Sequence, residues 1–419
     1  MKTFPSYQIH HIYLDNTLNL PVPGVNKKGN YLVFWWRDIA LGQFFIDPNK
    51  ALAEKEYNEQ LIKAIKPAID FYAKNENITG KWEYWLVHQM FDDWKSWMEA
   101  LFTKFTTMQV PASVPVSVII CTRGRAAYLQ QCLTMLKALE CIPEEIVVVD
   151  NAPADDTSKI VVENFEGVKY IKEPRGGLDI ARNTGILNTT LPIVAFVDDD
   201  VSVHPLWAYN IWETFQNPAV AAMTGLVIAA ELETEAQLIF EKHWSFNRGY
   251  VDKIYDTAFF KSTLAKGPPV WEIGAGANMA FRKSVFKKTG HFDELLDAGA
   301  AGCNGDSEMW FRILAKGYSI HYNPRAVVFH EHRKDLKGLK KQIFYYMRGF
   351  TTAALIQQKQ HPEAGYKYKL RSLPRYYGRL TIKEFPYYRF QFKTLWAEIR
   401  GSLSGILFYH KHKNRILNP

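Results

Sequence analysis

The 419-residue sequence holds only four cysteines, Cys121, Cys132, Cys141 and Cys303. None sits in a Cys-x-x-Cys pair and the chain is too long for a disulfide scaffold, so they read as reduced thiols. No apolar run approaches the ~20 residues that a bilayer-spanning helix needs. The opening Met1-Lys2-Thr3-Phe4-Pro5-Ser6-Tyr7 lacks the apolar core of a secretion signal. The expectation is a cytoplasmic protein, soluble or resting on the inner face of the cell membrane. Internal repeats and low-complexity tracts are also missing, which excludes solenoid and disordered arrays.

What is present suits a large folded body. Hydrophobic residues make up 47% and aromatic residues 14% of the chain, enough to bury a sizeable core. The length allows two or three domains at ~100–200 residues each. The net charge of +8 is uneven: Arg333 to Pro419 carries 19 Lys and Arg against four Asp and Glu, net +15, leaving −7 for the rest. The basic end calls for an anionic partner, and no nucleic-acid recognition motif accompanies it.

Three segments are expected: an α+β module over 1–110, a central domain over 111–332, and a basic, aromatic-rich helical region over 333–419. In the first, Tyr31–Trp36 and Leu41–Ile46 read as strands, Ala51–Ile65 and Trp82–Phe105 as helices. The prolines of Val110–Pro115 mark a linker. In the second, strands Val116–Cys121, Glu145–Asp150, Val168–Ile171 and Ile193–Val197 alternate with helices near Ala126–Leu139, Thr157–Phe165 and Leu178–Leu187. Near-continuous apolar strands alternating with helices indicate a parallel sheet covered on both faces. Such sheets bind ligands beyond the carboxyl ends of their strands, and Asp150, Asp198 and Asp200 fall at such ends.

Asp198-Asp199-Asp200 follows a buried strand. Carboxylates this close repel unless something positive binds them; a hard divalent cation removes that cost. The competing reading is a solvated turn. His330-Glu331-His332 follows the apolar run Ala326–Phe329, and strand alternation puts both imidazoles on one face. One of them, His330 ahead of His332, is expected as a further metal contact. A zinc hydrolase would need more ligands than this pair supplies. A helix begins near Asp306, whose carboxylate in the first turn is stabilised by the helix dipole by ~0.3–1 kcal/mol. Trp244, Trp271 and Glu272 lie between these segments and are candidates to shape a ligand pocket.

Six ordered segments resemble family 2 glycosyltransferases: Val116–Arg125, Ile146–Asn151, Gly176–Gly185, Asp198–Asp200, Gly276–Arg282 and Gly305–Arg312. The resemblance spans Val116 to His332. It implies an α/β, Rossmann-like nucleotide-diphospho-sugar transferase (GT-A) fold with a mixed, mostly parallel central sheet. It further implies an inverting, metal-dependent transfer of a sugar from a nucleotide-diphosphate donor, UDP favoured, to a hydroxyl of a glycan or lipid-linked acceptor, in polysaccharide or glycolipid assembly. Thr122, Arg123, Arg125, Asp150, Gly177, Arg182, Asp198 and Asp199 would then meet the donor, and Asp200 with Asp198 a Mn2+ or Mg2+ ion. Gly276 would lie on the acceptor side. Asp306 falls on the family's general base; Gly305 stands where a Glu is usual, and Glu308 is the rival base. The other classes to separate are a sugar nucleotidyltransferase, for which Thr122–Arg125 is a poor phosphate loop, and an inactive glycan- or donor-binding module.

The basic end mixes Lys340-Lys341, Arg375-Tyr376-Tyr377 and Trp396 through Tyr409. This pattern suits a helix on an anionic membrane as well as a helical domain packed on the body.

Overall fold

The computed structural model describes residues 5–16, 27–385 and 392–412. The chain opens with β1 (Tyr7–Tyr13), β2 (Gly29–Trp36), β3 (Ile39–Ile46), α1 (Glu54–Asn75), α2 (Trp82–Val87) and α3 (Phe91–Thr106). The central part runs β4 (Ser113–Thr122), α4 (Ala126–Lys137), β5 (Ile142–Asn151), α5 (Thr157–Glu163), β6 (Val168–Glu173), α6 (Leu178–Asn188), β7 (Ile193–Asp198) and β8 (Val201–Val203). It continues through α7 (Trp207–Thr214), β9 (Val220–Ala229), α8 (Glu235–His243), β10 (Lys253–Tyr255), α9 (Thr257–Leu264), β11 (Asn278–Arg282), α10 (Phe286–Thr289), α11 (Gly305–Ala315) and β12 (Ser319–His330). Three helices follow: α12 (Leu336–Gln360), α13 (Tyr366–Glu384) and α14 (Phe392–Lys411).

The large sheet has the order β10-β12-β9-β11-β7-β4-β5-β6, with β8 added on β12. β7, β4, β5 and β6 are parallel, as their apolar runs predict. β11 enters between β7 and β9 antiparallel to both and makes the sheet mixed. Alternate residues of β4 serve opposite cores: Val118 and Ile120 face α4 and α7, while Ile119 faces α6 and α11. That double burial explains why these strands read as continuous apolar runs.

Two local expectations need correction, and one strand was not anticipated. The segment expected as one helix over Trp82–Phe105 is two, α2 and α3, broken where Gln89 takes a left-handed φ of 57°. The expected linker already belongs to β4 from Ser113. Pro115 fits there because the β4–β5 ladder is irregular between Val114 and Ser117, where a missing N–H costs nothing. The strand β1 went unread; its burial does not alternate, and it pairs in parallel with β2.

The two faces of β2 explain its complete burial. Leu32, Phe34 and Trp36 pack against α1–α3. Tyr31, Val33 and Trp35 pack instead with Leu226, Ile228 and Val327 of β9 and β12. At the other end of the chain, α14 lies close on α12. A Cβ on Gly401 would stand 2.3 Å from the Phe344 carbonyl oxygen, so only glycine permits this approach.

Glu398 of α14 is buried and accepts from Thr394 Oγ1 at 2.8 Å, and burial pushes its carboxyl up to about 7. A raised carboxyl contributes stability that is full below the unfolded value of ~4.3 and is lost as pH rises through the folded one. The prediction is that Glu398→Gln raises Tm clearly at pH 8 and little at pH 5. An equal shift at both pH values would contradict it.

Candidate active site

The carboxyl ends of β4 and β7 are adjacent, with Cys121 paired to Asp198. The chain then turns through Asp199 and Asp200 into β8, which lies antiparallel on the end of β12 with Val201 opposite His330. This return is what carries His330 to the aspartates: its Nε2 lies 3.8 Å from Asp200 Oδ1. One ligand atom from each of Asp198, Asp200 and His330 falls within 4.8 Å of the others.

Asp199 does a different job. Its Oδ2 accepts from Thr122 Oγ1 at 2.7 Å and its Oδ1 from Arg125. Arg125 also reaches Asp200 Oδ2 at 2.9 Å. The triplet is thus split, with Asp199 anchoring the turn and its two neighbours beside His330. Burial, then the charge of Asp200, pushes the Asp198 carboxyl up to about 7. Burial pushes His330 down to about 4 despite the pull of Asp200. A neutral imidazole with a lone pair beside two crowded carboxylates suits a divalent cation: the imidazole is a ready ligand, and the repulsion raising Asp198 is what a cation would relieve.

A cavity of about 1080 Å³ opens at this rim. Asp198, Asp200 and His330 line it together with Thr122, Arg123 and Arg125. Asp306 lines the same space, so the acidic rim and the expected base share one cleft. Asp306 opens α11 and is held by two backbone donors: Ser307 N–H to Oδ1 at 2.6 Å and Gly276 N–H to Oδ2 at 2.8 Å. The dipole at the start of α11 favours the ionised carboxylate. Burial and the neighbouring charge of Asp297 outweigh that and push its pKa up, against Arg182.

Residues 117–290 match the family model described as glycosyl transferase family 2. This stretch belongs to glycosyltransferase family 2. With its mixed sheet the chain has a GT-A-like fold. It is similar to the pre-mycofactocin glycosyltransferase of Mycobacterium tuberculosis, 26% identical over 242 residues, covering 56% of this chain and 47% of the relative. The chain therefore spans about half the length of that relative. The succinoglycan biosynthesis protein ExoM of Rhizobium meliloti is 27% identical over 263 residues, 59% of this chain and 76% of the relative. Among solved structures, the mannosyltransferase PcManGT of Pyrobaculum calidifontis, in complex with GDP-Man and Mn2+, covers 73% of this chain and 92% of its own, with a TM-score of 0.46 and 16% identity.

Within this family 2 domain, other expected residues scatter. Asp150 is fully buried, accepts from Tyr170 at 3.0 Å and does not line the cavity; its neighbour Asn151 does. Gly177 is not on the wall either: it starts α6 with a φ of 153° and donates its N–H to Asn151 Oδ1 at 2.9 Å. Glu308 is turned away into an ion pair with Arg312 at 2.7 Å and leaves the cavity to Asp306. His332 lies behind His330 rather than beside the aspartates, its Nε2 3.1 Å from Glu241. Trp244, Trp271, Glu272 and Gly276 all reach the cavity wall. One face of Trp271 is taken, with the Lys369 ammonium 4.0 Å above its ring. Gly276 is needed for room as well: a Cβ there would meet Arg182 Nη2 at 2.8 Å.

Arg182 lines the cavity but is committed to two acids. Its Nη1 donates to Asp179 at 2.9 Å and to Asp297. Asp297 was missed in the sequence. Its one signal is an acid set among small residues, Asp297-Ala298-Gly299-Ala300-Ala301-Gly302, and its own φ of 58° is left-handed. Removing the guanidinium strands two buried carboxylates, which costs about 3–5 kcal/mol. Urea unfolding of Arg182→Met is expected to show a loss of that size, partly recovered in Arg182→Met/Asp297→Asn. A single variant as stable as the wild type would contradict this.

Proposed function

We propose that the protein transfers a sugar, with inversion, from a nucleotide-diphosphate donor, a UDP-sugar by preference, to an acceptor hydroxyl in glycan or glycolipid assembly. The observation that carries this reading is the sharing of one cavity by Asp198, Asp200, His330 and Asp306. Asp198, Asp200 and His330 would hold Mn2+ or Mg2+, which supplies Lewis-acid neutralisation of the departing diphosphate. Arg123 and Arg125, from the loop after β4, add positive charge on the donor side. Thr122 and Asp199 brace that loop against the rim.

Asp306 acts as the base. Its two backbone donors fix the carboxylate, and its raised pKa improves it as a proton acceptor when the acceptor oxygen attacks the anomeric carbon. Displacement in one step inverts that centre. Trp244, Trp271 and Glu272 would form the acceptor wall. Asp200→Ala is expected to lose Mn2+-dependent transfer, and Asp306→Asn to lose transfer by at least 100-fold while keeping donor binding. Transfer at wild-type rate in Asp200→Ala contradicts the metal assignment. Retained activity in Asp306→Asn with loss in Glu308→Gln contradicts the base.

The acceptor side is also built by α12–α14: Tyr346, Phe350, Leu373 and Tyr376 line the cavity. No helix of the described residues is long and apolar enough to cross a membrane. On α14, however, Trp396, Leu403 and Leu407 are 66%, 58% and 71% exposed and recur at helical spacing. On α13, exposed Tyr368 and Ile382 stand among Arg371, Arg375, Arg379 and Lys383. An apolar stripe within basic surroundings supports docking on an anionic lipid surface, where a lipid-linked acceptor would be met. The triple variant Trp396→Ser/Leu403→Ser/Leu407→Ser is expected to pellet at least fivefold less with phosphatidylglycerol-containing vesicles, at unchanged Tm. Equal pelleting would remove the lipid reading.

A further inference from the structure

The N-terminal sheet has no assigned role, yet a buried polar chain runs from it to the acidic rim. Its middle is Glu241 of α8. Glu241 Oε2 lies 3.1 Å from His332 Nε2, with both side chains almost fully buried. His332 Nδ1 in turn lies 3.3 Å from His330 Nδ1. On the far side, Glu241 Oε1 accepts from Ser245 Oγ at 3.1 Å and from the Tyr31 hydroxyl of β2 at 3.4 Å. Tyr31 also contacts Gln43 of β3, whose side chain meets Tyr250 at 2.5 Å and Asn247 at 3.1 Å. Phe240 packs on the His332 ring at 4.5 Å and Phe246 packs edge-on to His330 at 5.4 Å.

The proton positions follow from what each atom can do. Glu241 accepts from Ser245 and Tyr31 through Oε1 and faces the imidazole as an acceptor through Oε2, so His332 carries its proton on Nε2. In that tautomer Nδ1 is bare, and it accepts from the Nδ1–H of His330. His330 Nε2 is then bare, and this is the atom 3.8 Å from Asp200. The other tautomer of His330 would set two bare Nδ1 atoms against each other and aim a proton at the aspartates.

We propose that Glu241 and His332, braced by Tyr31 of the N-terminal sheet, are positioning residues that hold His330 with a bare Nε2, open to a divalent cation. This rests on the metal reading given above and assigns part of the N-terminal sheet a role in the site. Partners one hydrogen bond behind a metal-bound histidine set its orientation and basicity, and their loss weakens metal binding by about 10–100-fold.

Two measurements on the full chain test it. The first is Mn2+ affinity from the electron paramagnetic resonance signal of free Mn2+, with circular dichroism as a check on folding. Glu241→Gln is expected to bind about tenfold more weakly, Tyr31→Phe more weakly by a smaller factor, and Asp200→Ala not measurably. If the wild type binds Mn2+ and folded Glu241→Gln binds equally well, the positioning role is overturned while the metal reading stands. If the wild type binds none, or Asp200→Ala binds like the wild type, the metal reading falls and takes this inference with it. The second measurement needs no variant at position 241: two-bond proton–nitrogen spectra of the histidine-labelled, metal-free protein, with the His330 peaks assigned by their loss in His330→Ala. The expected spectrum has His330 protonated at Nδ1 and His332 at Nε2. A His330 protonated at Nε2 overturns the proposal.

Discussion

The structure depends on how it offsets the repulsion among three consecutive aspartates at the end of a buried strand. Two like charges 4 Å apart at an effective dielectric near 20 repel by about 4 kcal/mol; burial first, and the charge of Asp200 second, push the Asp198 carboxyl up to about 7. The protein itself neutralises only part of this charge. Arg125 spans Asp199 and Asp200, Thr122 holds Asp199, and the return of β8 onto β12 brings in an uncharged histidine. An acceptor of lone pairs is still wanted between Asp198, Asp200 and His330. Much else near the rim can be understood as support for that arrangement.

Much of the central fold was legible because its strands are buried on both sides. Continuous apolar runs such as Ile193–Val197 leave little choice of element, and the acids that follow them mark the strand ends. The entry of β11 into the middle of the sheet was not legible, since Asn278–Arg282 is short and gives no direction. Nor was the break at Gln89, where the left-handed φ of 57° falls on a glutamine and no Gly or Pro marks the turn.

The site divides the same way. Asp198, Asp200, His330 and Asp306 could be picked out because each follows or opens a readable element. What a sequence could not give was direction. Asp199 differs from its neighbours only in which way the turn aims it. Glu308 lies two residues beyond Asp306 on α11, and that step carries it out of the cavity to Arg312. Asp150 and Asn151 are likewise reversed by strand alternation. Asp297 lies on a loop without periodicity, and its importance appears only when Arg182 is seen between two acids. Glu241, distant in sequence from both histidines, acquires a role only through tertiary contact.

The direct test of the central claim is where a metal goes. Crystals of the full chain soaked in Mn2+ should give an anomalous difference peak between Asp198, Asp200 and His330, about 2.0–2.3 Å from their ligand atoms. A peak bounded by other residues, or none at saturating Mn2+, would contradict the account.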